Sequence, residues 1–356
     1  MKSRTLRRAD ELVDAGLLPA RRRRGVERVA RRFAVAVTPH VVELIETAGD
    51  PIARQFVPST AELRIVPEER ADPIGDDRFA PIKGIVHRYP DRVLLKPLLV
   101  CPVYCRFCFR REAVGKGGAL TARELAAAFA YIRRNPAIWE VIVTGGDPFL
   151  LSARRLKEIV RALDAIPHVQ VIRFHTRVPI VEPARVTPAL VAALGTEKAV
   201  YVAIHANHPR ELTPATRAAC ARLTKAGIPL LGQSVLLKGI NDDAATLEAL
   251  FRGLVAMRVK PYYLHHADLA RGTAHFRTTL AAGRNVMRAL RGRVSGLCQP
   301  TYVLDLPGGH GKVPVGPDYA ELLDDDSWLI EDPDGQRHRY PAVTPRSEFQ
   351  RSQNKL

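Results

Sequence analysis

The sequence predicts an α/β fold: a partial, (βα)6-type barrel, similar in plan to a TIM barrel, with a helical extension at its N-terminus. Short apolar runs alternate with longer amphipathic segments from about residue 92 to residue 306, a pattern typical of parallel strands joined by crossover helices. No GxGxxG run follows the first predicted strand, which disfavours a flat dinucleotide-binding sheet. Most polar motifs fall at or near strand ends, where barrels place their chemistry.

Residues 1–85 are predicted to form a helical and irregular extension. Ala9–Ala15 has a helical pattern. A second helix is predicted towards Ala48, with Thr38 as its N-cap and Pro39 at its first position. Repeated prolines then interrupt the chain before the barrel begins.

Residues 86–320 are predicted to form the barrel, and residues 321–356 a C-terminal tail that is polar beyond about Pro345. The first helix has Thr121 at its N-cap and Glu124 three residues later, the pattern of a capping box. The predicted strands are 92–100, 141–144, 169–175, 200–205, 229–237, 261–266 and 302–306, and the predicted helices are 121–134, 153–166, 188–194, 214–226, 243–257 and 281–290.

Composition indicates a soluble globular protein. The chain has 356 residues, 46% of them hydrophobic, and no apolar run reaches the ~20 residues that a membrane span needs. The formal net charge is +17, which suits either a solvated basic surface or a polyanionic partner. No nucleic-acid-binding signature accompanies the charge, so direct nucleic-acid binding is disfavoured. We predict a cytoplasmic protein with no membrane partner.

Cys101, Cys105 and Cys108 are separated by three residues and then by two. A structural zinc ion usually takes four Cys or His ligands in paired arrangements, but Cys220 and Cys298 are single and distant in sequence. Thiolates are the usual ligands of iron–sulfur clusters. Three of them would leave one iron of a [4Fe-4S] cluster open to react. We therefore favour a cluster over zinc.

This cysteine spacing is the motif of radical S-adenosylmethionine (SAM) enzymes, and the chain resembles one branch of them, the lysine 2,3-aminomutases. The resemblance extends over roughly residues 35–320 and includes the segments 55–58, 274–278 and 295–296. It implies the partial barrel of radical SAM enzymes, a [4Fe-4S] cluster, SAM, pyridoxal 5′-phosphate (PLP) and an external electron donor.

The resemblance also assigns residues to the cofactors. The motif Gly145-Gly146-Asp147 matches the family's contact to the amino group of SAM, with an ordinary strand-to-helix turn as the alternative. His175 and Arg177, at the end of the next strand, are assigned to cofactor binding too.

Lys312 ends the run Pro307-Gly308-Gly309-His310-Gly311-Lys312, where Val313 breaks the phosphate-loop pattern. It matches the family lysine that holds PLP and is the predicted catalytic residue, although His310 replaces a glycine that is common in the family. The other residues assigned to the PLP site by resemblance are Arg88, Tyr89, Arg92, His205 and Gln233. For His205, a buried core role is the alternative.

Three residues are assigned to the substrate. Arg110 matches the arginine that holds the substrate α-carboxylate, and Asp268 and Asp305 match the two carboxylates that hold the distal ammonium of lysine. Two acids at one site pair poorly with each other and well with a cation. Capping or turn roles are the alternative for both aspartates.

Together these matches imply conversion of lysine to β-lysine by radical 1,2-amino migration. No cysteine follows Cys298, so the intersubunit zinc of the lysine-fermenting enzymes is not expected, and a homo-oligomer remains open. The short form also resembles the aminomutases that serve elongation factor P. Arginine and a lysyl group on an acidic translation factor are alternative substrates. An inactive iron–sulfur nucleic-acid-binding regulator is a further alternative, which Lys312 disfavours.

Overall fold

The computed structural model of the protein describes residues 4–342, so the predicted polar tail beyond Pro345 lies outside the described residues. Within residues 4–342, nine strands form one sheet in sequence order, parallel from the second to the eighth, with an antiparallel strand at each edge. The strands are β1 (Ile85–Tyr89), β2 (Arg92–Leu98), β3 (Glu140–Gly145), β4 (Val171–Thr176), β5 (Ala199–His205), β6 (Leu230–Leu236), β7 (Val259–His266), β8 (Thr301–Leu306) and β9 (Gly311–Pro314).

Six helical connections join the seven parallel strands, which confirms the predicted partial (βα)6 barrel. Five of these connections contain one α-helix each, and the connection between β4 and β5 contains two. The helices are α1 (Ala9–Asp14), α2 (Arg23–Arg32), α3 (Pro39–Leu44), α4 (Pro51–Phe56), α5 (Ala122–Arg134), α6 (Ala153–Asp164), α7 (Val178–Val181), α8 (Pro188–Ala192), α9 (Pro214–Lys225), α10 (Ala244–Ala256) and α11 (Leu280–Leu290). Across residues 4–342, no helix combines the length and apolar character of a membrane span.

Capping side chains begin most of these helices. The Thr121 hydroxyl accepts a hydrogen bond from the Glu124 N–H, and the Glu124 carboxylate accepts one from the Thr121 N–H, so the predicted capping box is present. Thr38 caps α3 as predicted. Each cap satisfies backbone donors that the first helical turn leaves without partners. Each capped helix therefore begins at a defined residue.

Strands β2, β4 and β6 alternate in exposure because one face packs against the helices and the other lines the barrel. In β2 the buried Val93 and Leu95 alternate with the partly exposed Arg92, Leu94 and Lys96. Residues on a strand point alternately to its two faces. The polar residues of the parallel strands thus gather on one interior surface.

Edge strands β1 and β9 lie where the sequence predicted only connecting segments. Both are short, and β9 begins at Gly311 after Gly308 and Gly309, a pattern typical of a loop. No ladder joins the two edges, but the Lys312 N–H on β9 donates to the Tyr89 hydroxyl on β1 at 2.8 Å. Beyond the barrel, β10 (Ala320–Leu322), β11 (Trp328–Glu331) and β12 (Arg337–Tyr340) form a separate antiparallel sheet within the segment predicted as a tail.

Candidate active site

The N-terminal extension fixes the cysteine loop, the segment after β2 that carries Cys101, Cys105 and Cys108. The Tyr104 N–H donates to the Ala36 carbonyl at 3.2 Å. The guanidinium of Arg106, between the second and third cysteines, is buried and donates through Nε to Glu62 at 3.1 Å and through Nη1 to Ala34 O at 2.7 Å. Although burial opposes ionisation of Glu62, Arg106 and Arg111 lower its pKa. Buried ion pairs with full hydrogen bonding hold a single geometry, so the loop is anchored on both sides.

The three thiols of this loop are free and partly accessible. Burial, with a smaller contribution from Cys105, raises the pKa of Cys108 to about 11, and burial and the charge of Asp147 raise the pKa of Cys101 well above its usual value. Ionisation of Cys101 and Cys108 therefore needs a compensating positive charge, which iron supplies on binding. In the range 4–342, no three His, Cys, Asp or Glu side chains are close enough to hold a single metal ion.

Asp147 and the His175-Thr176-Arg177 run join the ends of β3 and β4 beside this loop. The Asp147 carboxylate accepts hydrogen bonds from the Thr176 hydroxyl and the Arg177 N–H, both at 2.7 Å. A Cβ on Gly146 would lie 2.3 Å from the Val100 oxygen, so this glycine permits close contact between β3 and the cysteine loop. The structure thus gives the motif a structural role, and its contact with SAM stays a prediction.

Arg177 lies between the cysteine loop and a buried polar network. Its Nη1 donates to the Cys105 Sγ at 2.8 Å, and its Nη2 donates to Gln55 at 2.6 Å and to Glu211 at 2.7 Å. The guanidinium also lies 4.6 Å from the centre of the Phe56 ring. Hydrogen bonds to cluster sulfurs affect the stability and potential of a cluster, so Arg177 is placed to act on the predicted iron site.

Two partly exposed histidines each have a buried, unsatisfied ring nitrogen. Nε2 of His175 and Nε2 of His205 have no hydrogen-bond partner among the described residues. Burial lowers the pKa of each well below its usual value, assisted at His175 by Arg173, Arg110, His265 and Lys312. The His205 ring also stacks on Phe107 with centroids 5.6 Å apart. Unpartnered buried polar atoms of this kind fit a missing ligand.

Lys312 lies on β9 directly opposite Asp305 on β8. Its ammonium donates to the Asp305 carboxylate, is 3.2 Å from the His265 Nδ1, and lies 5.5 Å from the centre of the Tyr263 ring. Burial, followed by the charge of Lys312, lowers the pKa of His265. The predicted catalytic amine is therefore held between a carboxylate and a neutral imidazole.

The pKa values of Asp268 and Asp305 differ widely. Burial and the charge of Asp305 raise the pKa of Asp268 to about 7. Burial also opposes ionisation of Asp305, but His265 and Lys312 hold its pKa at about 2. Since Lys312 and Arg110 both act on Asp268, the residues assigned to the two ends of the substrate face one interior.

Arg110 and Arg88 share a carboxylate that the sequence analysis did not single out. The Arg110 Nε donates to Asp76 Oδ2 at 2.8 Å, and the Arg88 Nη2 lies 3.3 Å from Asp76 Oδ1. The Arg88 Nε is buried and has no partner among the described residues. Its free N–H fits an anion such as the phosphate of PLP.

The remaining predicted residues have weaker contacts with this cluster. Gln233 on β6 is the register neighbour of His205 on β5. Arg92 lies 3.8 Å from the centre of the Tyr89 ring and donates to the adjacent Asp91 at 2.6 Å, so its charge is engaged near the start of β2. The structure therefore places Tyr89 against Lys312 and Gln233 beside His205, and the PLP roles of these residues and of Arg92 stay predictions.

Comparison with known proteins identifies the family of this chain. The chain matches the radical SAM superfamily over residues 95–250 and the lysine-2,3-aminomutase family over residues 287–341. It is 43% identical over 299 residues to the L-lysine 2,3-aminomutase of Acetoanaerobium sticklandii, which covers 83% of this chain and 72% of that protein. The chain belongs to the lysine 2,3-aminomutase family.

Other members of the lysine 2,3-aminomutase family differ in their named substrate. The L-lysine 2,3-aminomutase of Fusobacterium nucleatum is 41% identical over 83% of this chain and 70% of its own length. The glutamate 2,3-aminomutase of Clostridioides difficile is 37% identical over 83% of this chain and 70% of its own length. Family membership makes the protein an isomerase, and its radical SAM superfamily implies a [4Fe-4S] cluster and SAM.

Two side chains of this aminomutase site were missed by the sequence analysis. His265 precedes His266 at the end of β7, and its position at a strand end was an available signal. Asp76 lies in the N-terminal extension, 34 residues before Arg110. No local pattern connects it to the barrel, so only the folded chain shows the contact.

Proposed function

We propose that this protein is a lysine 2,3-aminomutase that converts lysine to β-lysine with a [4Fe-4S] cluster, SAM and PLP. The observation that carries the proposal is the arrangement of Lys312 between Asp305 and His265, with Arg110 and Asp268 acting on the same interior. One cation and two carboxylates around a lysine suit a substrate with a carboxylate at one end and an ammonium at the other.

The bound groups supply the radical chemistry: the cluster and SAM generate the radical, and PLP carries the migrating amino group. Cys101, Cys105 and Cys108 would hold the cluster. Lys312 would hold PLP covalently, and the unpartnered nitrogens of Arg88 and His205 support the assignment of these two residues to PLP. The interior of the barrel keeps the reacting atoms from bulk water.

The contacts of Lys312 provide a route for its proton. An amine must lose a proton before it can act as a nucleophile. Because the pKa of His265 is lowered, its imidazole is neutral near pH 7 and its Nδ1, 3.2 Å from the Lys312 Nζ, can accept that proton. The accepted proton makes His265 cationic, 3.6 Å from the Asp305 Oδ2. Once that proton passes to solvent, Asp305 has lost both cationic partners and becomes available to another ammonium.

The substrate would replace these internal contacts. The α-carboxylate pairs with Arg110, whose side-chain ion pair to Asp76 uses only Nε. The distal ammonium occupies the place that Lys312 leaves beside Asp305, with Asp268 as second carboxylate. Holding both ends fixes which hydrogen of the β-carbon faces the radical, a contribution of positioning.

Lysine use should depend on pH through Asp268. With a pKa of about 7 in the free protein, Asp268 is neutral below that pH and cannot pair fully with an ammonium. We expect kcat/KM for lysine to fall roughly tenfold per pH unit on the acid side of this pKa. Asp268→Asn should show a lower kcat/KM and lack this acid limb. Retention of the same limb in the variant would assign it to another group.

The proposed substrate is tested by incubating the anaerobic, reconstituted enzyme separately with lysine, arginine and glutamate and measuring the β-isomers. We expect β-lysine as the main product. Arginine also carries a distal cation and is the second candidate that Asp268 and Asp305 would accept. Conversion of glutamate but not lysine would refute the assignment of the two aspartates.

The remaining partners follow from the proposed chemistry. Reductive cleavage of SAM consumes one electron, so we propose an external one-electron donor. We also propose a cytoplasmic location, where thiols stay reduced. An acidic translation factor and a homo-oligomer stay predictions from the net charge of +17 and from the family resemblance.

A further inference from the structure

Residues 72–79 cover the gap between the two edge strands of the barrel, β1 and β9. Gly75 has φ +68°, and a Cβ on it would lie 2.8 Å from the backbone of Gly308, so this segment packs directly on the turn between β8 and β9. The Gly308 N–H also donates to the Pro73 carbonyl at 3.1 Å. This is the turn that leads into Lys312.

The segment presents one buried carboxylate to three cations. Asp76 is only 6% exposed. Its Oδ2 accepts from the Arg110 Nε at 2.8 Å and lies 4.0 Å from the Lys96 Nζ, and its Oδ1 lies 3.3 Å from the Arg88 Nη2. Among residues 4–342, each of these three cations has Asp76 as its only ion-pair partner at this distance.

Asp76 is itself held rigidly. The Asp72 carboxylate accepts hydrogen bonds from the N–H groups of Asp76 and Asp77, at 2.9 and 2.8 Å. The guanidinium of Arg110 is in turn restrained by Asp76 at Nε and by the ring of Phe109, whose centre is 4.4 Å away. A charged group fixed before its ligand arrives loses less conformational freedom on binding.

The ion pair with Asp76 leaves the Nη1 and Nη2 groups of Arg110 available. Asp76 engages Nε, while no ion pair or hydrogen bond of Nη1 or Nη2 occurs in the described part of the chain. A carboxylate pairs best with an arginine through two parallel N–H groups. Asp76 therefore orients the guanidinium without occupying both of the nitrogens that such a pairing needs.

We propose that Asp76 is a positioning residue that orients Arg110 for the substrate carboxylate and Arg88 for the phosphate of PLP, and so couples the two binding sites. The proposal rests on the function proposed above. The alternative is that the Asp76 carboxylate competes with the substrate carboxylate for Arg110. In that case removing the Asp76 carboxylate would tighten lysine binding, whereas a positioning role predicts weaker binding.

The test compares Asp76→Asn with Asp76→Glu and with a matched control, Asp77→Asn, whose side chain is exposed beside it. PLP affinity is measured by absorbance titration of the PLP-free protein, and KM and kcat for lysine are measured on the reconstituted enzyme. We expect Asp76→Asn to raise KM and to weaken PLP binding, each by roughly 10- to 100-fold, the effect of losing a hydrogen bond between charged groups. The change in kcat should be smaller.

Asp76→Glu keeps the charge and should recover much of both affinities, whereas Asp77→Asn should resemble the wild type. Should Asp76→Asn fail to fold, Asp76→Glu carries the test, and it should bind PLP more weakly and have a higher KM for lysine than the control Asp77→Asn. A wild-type protein that binds no PLP overturns the proposed function and this inference with it. A wild type that binds PLP, together with an unchanged or lowered KM in Asp76→Asn, overturns the inference alone.

Discussion

Replacing Cys105 with alanine is expected to eliminate both the iron–sulfur cluster and amine migration. The thiol is one of three in a loop fixed by the N-terminal extension, and its Sγ accepts a hydrogen bond from Arg177 at 2.8 Å. Two remaining thiols leave the cluster one protein ligand short, and no other initiator of the radical step is present in the proposed chemistry. The loss should be the full rate enhancement, on the order of 10⁶-fold or more in enzymes. Iron and sulfide content, the visible absorbance of the reconstituted protein and cleavage of SAM provide the measurement.

The chain supplies its own control for this experiment. Cys298→Ala and Cys220→Ala remove thiols that are 4% and 0% exposed and lie outside the cysteine loop. Both variants should keep their iron and their SAM cleavage, with at most a small loss of stability. An iron content that falls in Cys298→Ala but not in Cys105→Ala would place the metal elsewhere.

The fold could be predicted where the hydrophobic pattern was strong. Each parallel strand and its crossover helix form a local unit with its own periodicity, and caps such as Thr121 mark the boundaries. The edge strands could not be predicted in this way. Gly311–Pro314 forms β9 only because β8 provides its partner, with Lys312 opposite Asp305. Pairing with a neighbour, rather than the intrinsic preference of the residues, decides such a strand.

The site was predicted as a set of residues but not as a set of contacts. The resemblance assigned Asp305 to the substrate and Lys312 to PLP, and the structure shows these two side chains paired with each other. Asp76 gave no signal because its importance depends on how the N-terminal extension returns to the barrel. The contacts between distant segments follow from the path of the chain, which a single sequence does not display.

Lys312→Ala is expected to affect PLP binding and amine migration without affecting the cluster. We expect this variant to lose covalent PLP, measured by borohydride reduction and mass spectrometry of the peptide that contains residue 312. Amine migration should fall by several orders of magnitude, as is usual when a covalent catalyst is removed. Cluster content and cleavage of SAM should persist, because the cysteine loop lies on a different strand end. Lys157→Ala, on the exposed side of α6, is the matched control.

Removing the ammonium of Lys312 also changes the charge balance of the acidic pair. Its charge lowers the pKa of both Asp305 and Asp268. Lys312→Ala should therefore raise both pKa values and leave the two partly buried carboxylates sharing a proton near neutral pH. Above these raised pKa values, the affinity of the two carboxylates for a free ammonium should exceed that of the wild type, since no internal cation competes for Asp305. Tighter equilibrium binding of lysine by an inactive Lys312→Ala variant would support this exchange. Covalent PLP in Lys312→Ala equal to that of the wild type would instead show that another amine holds the cofactor.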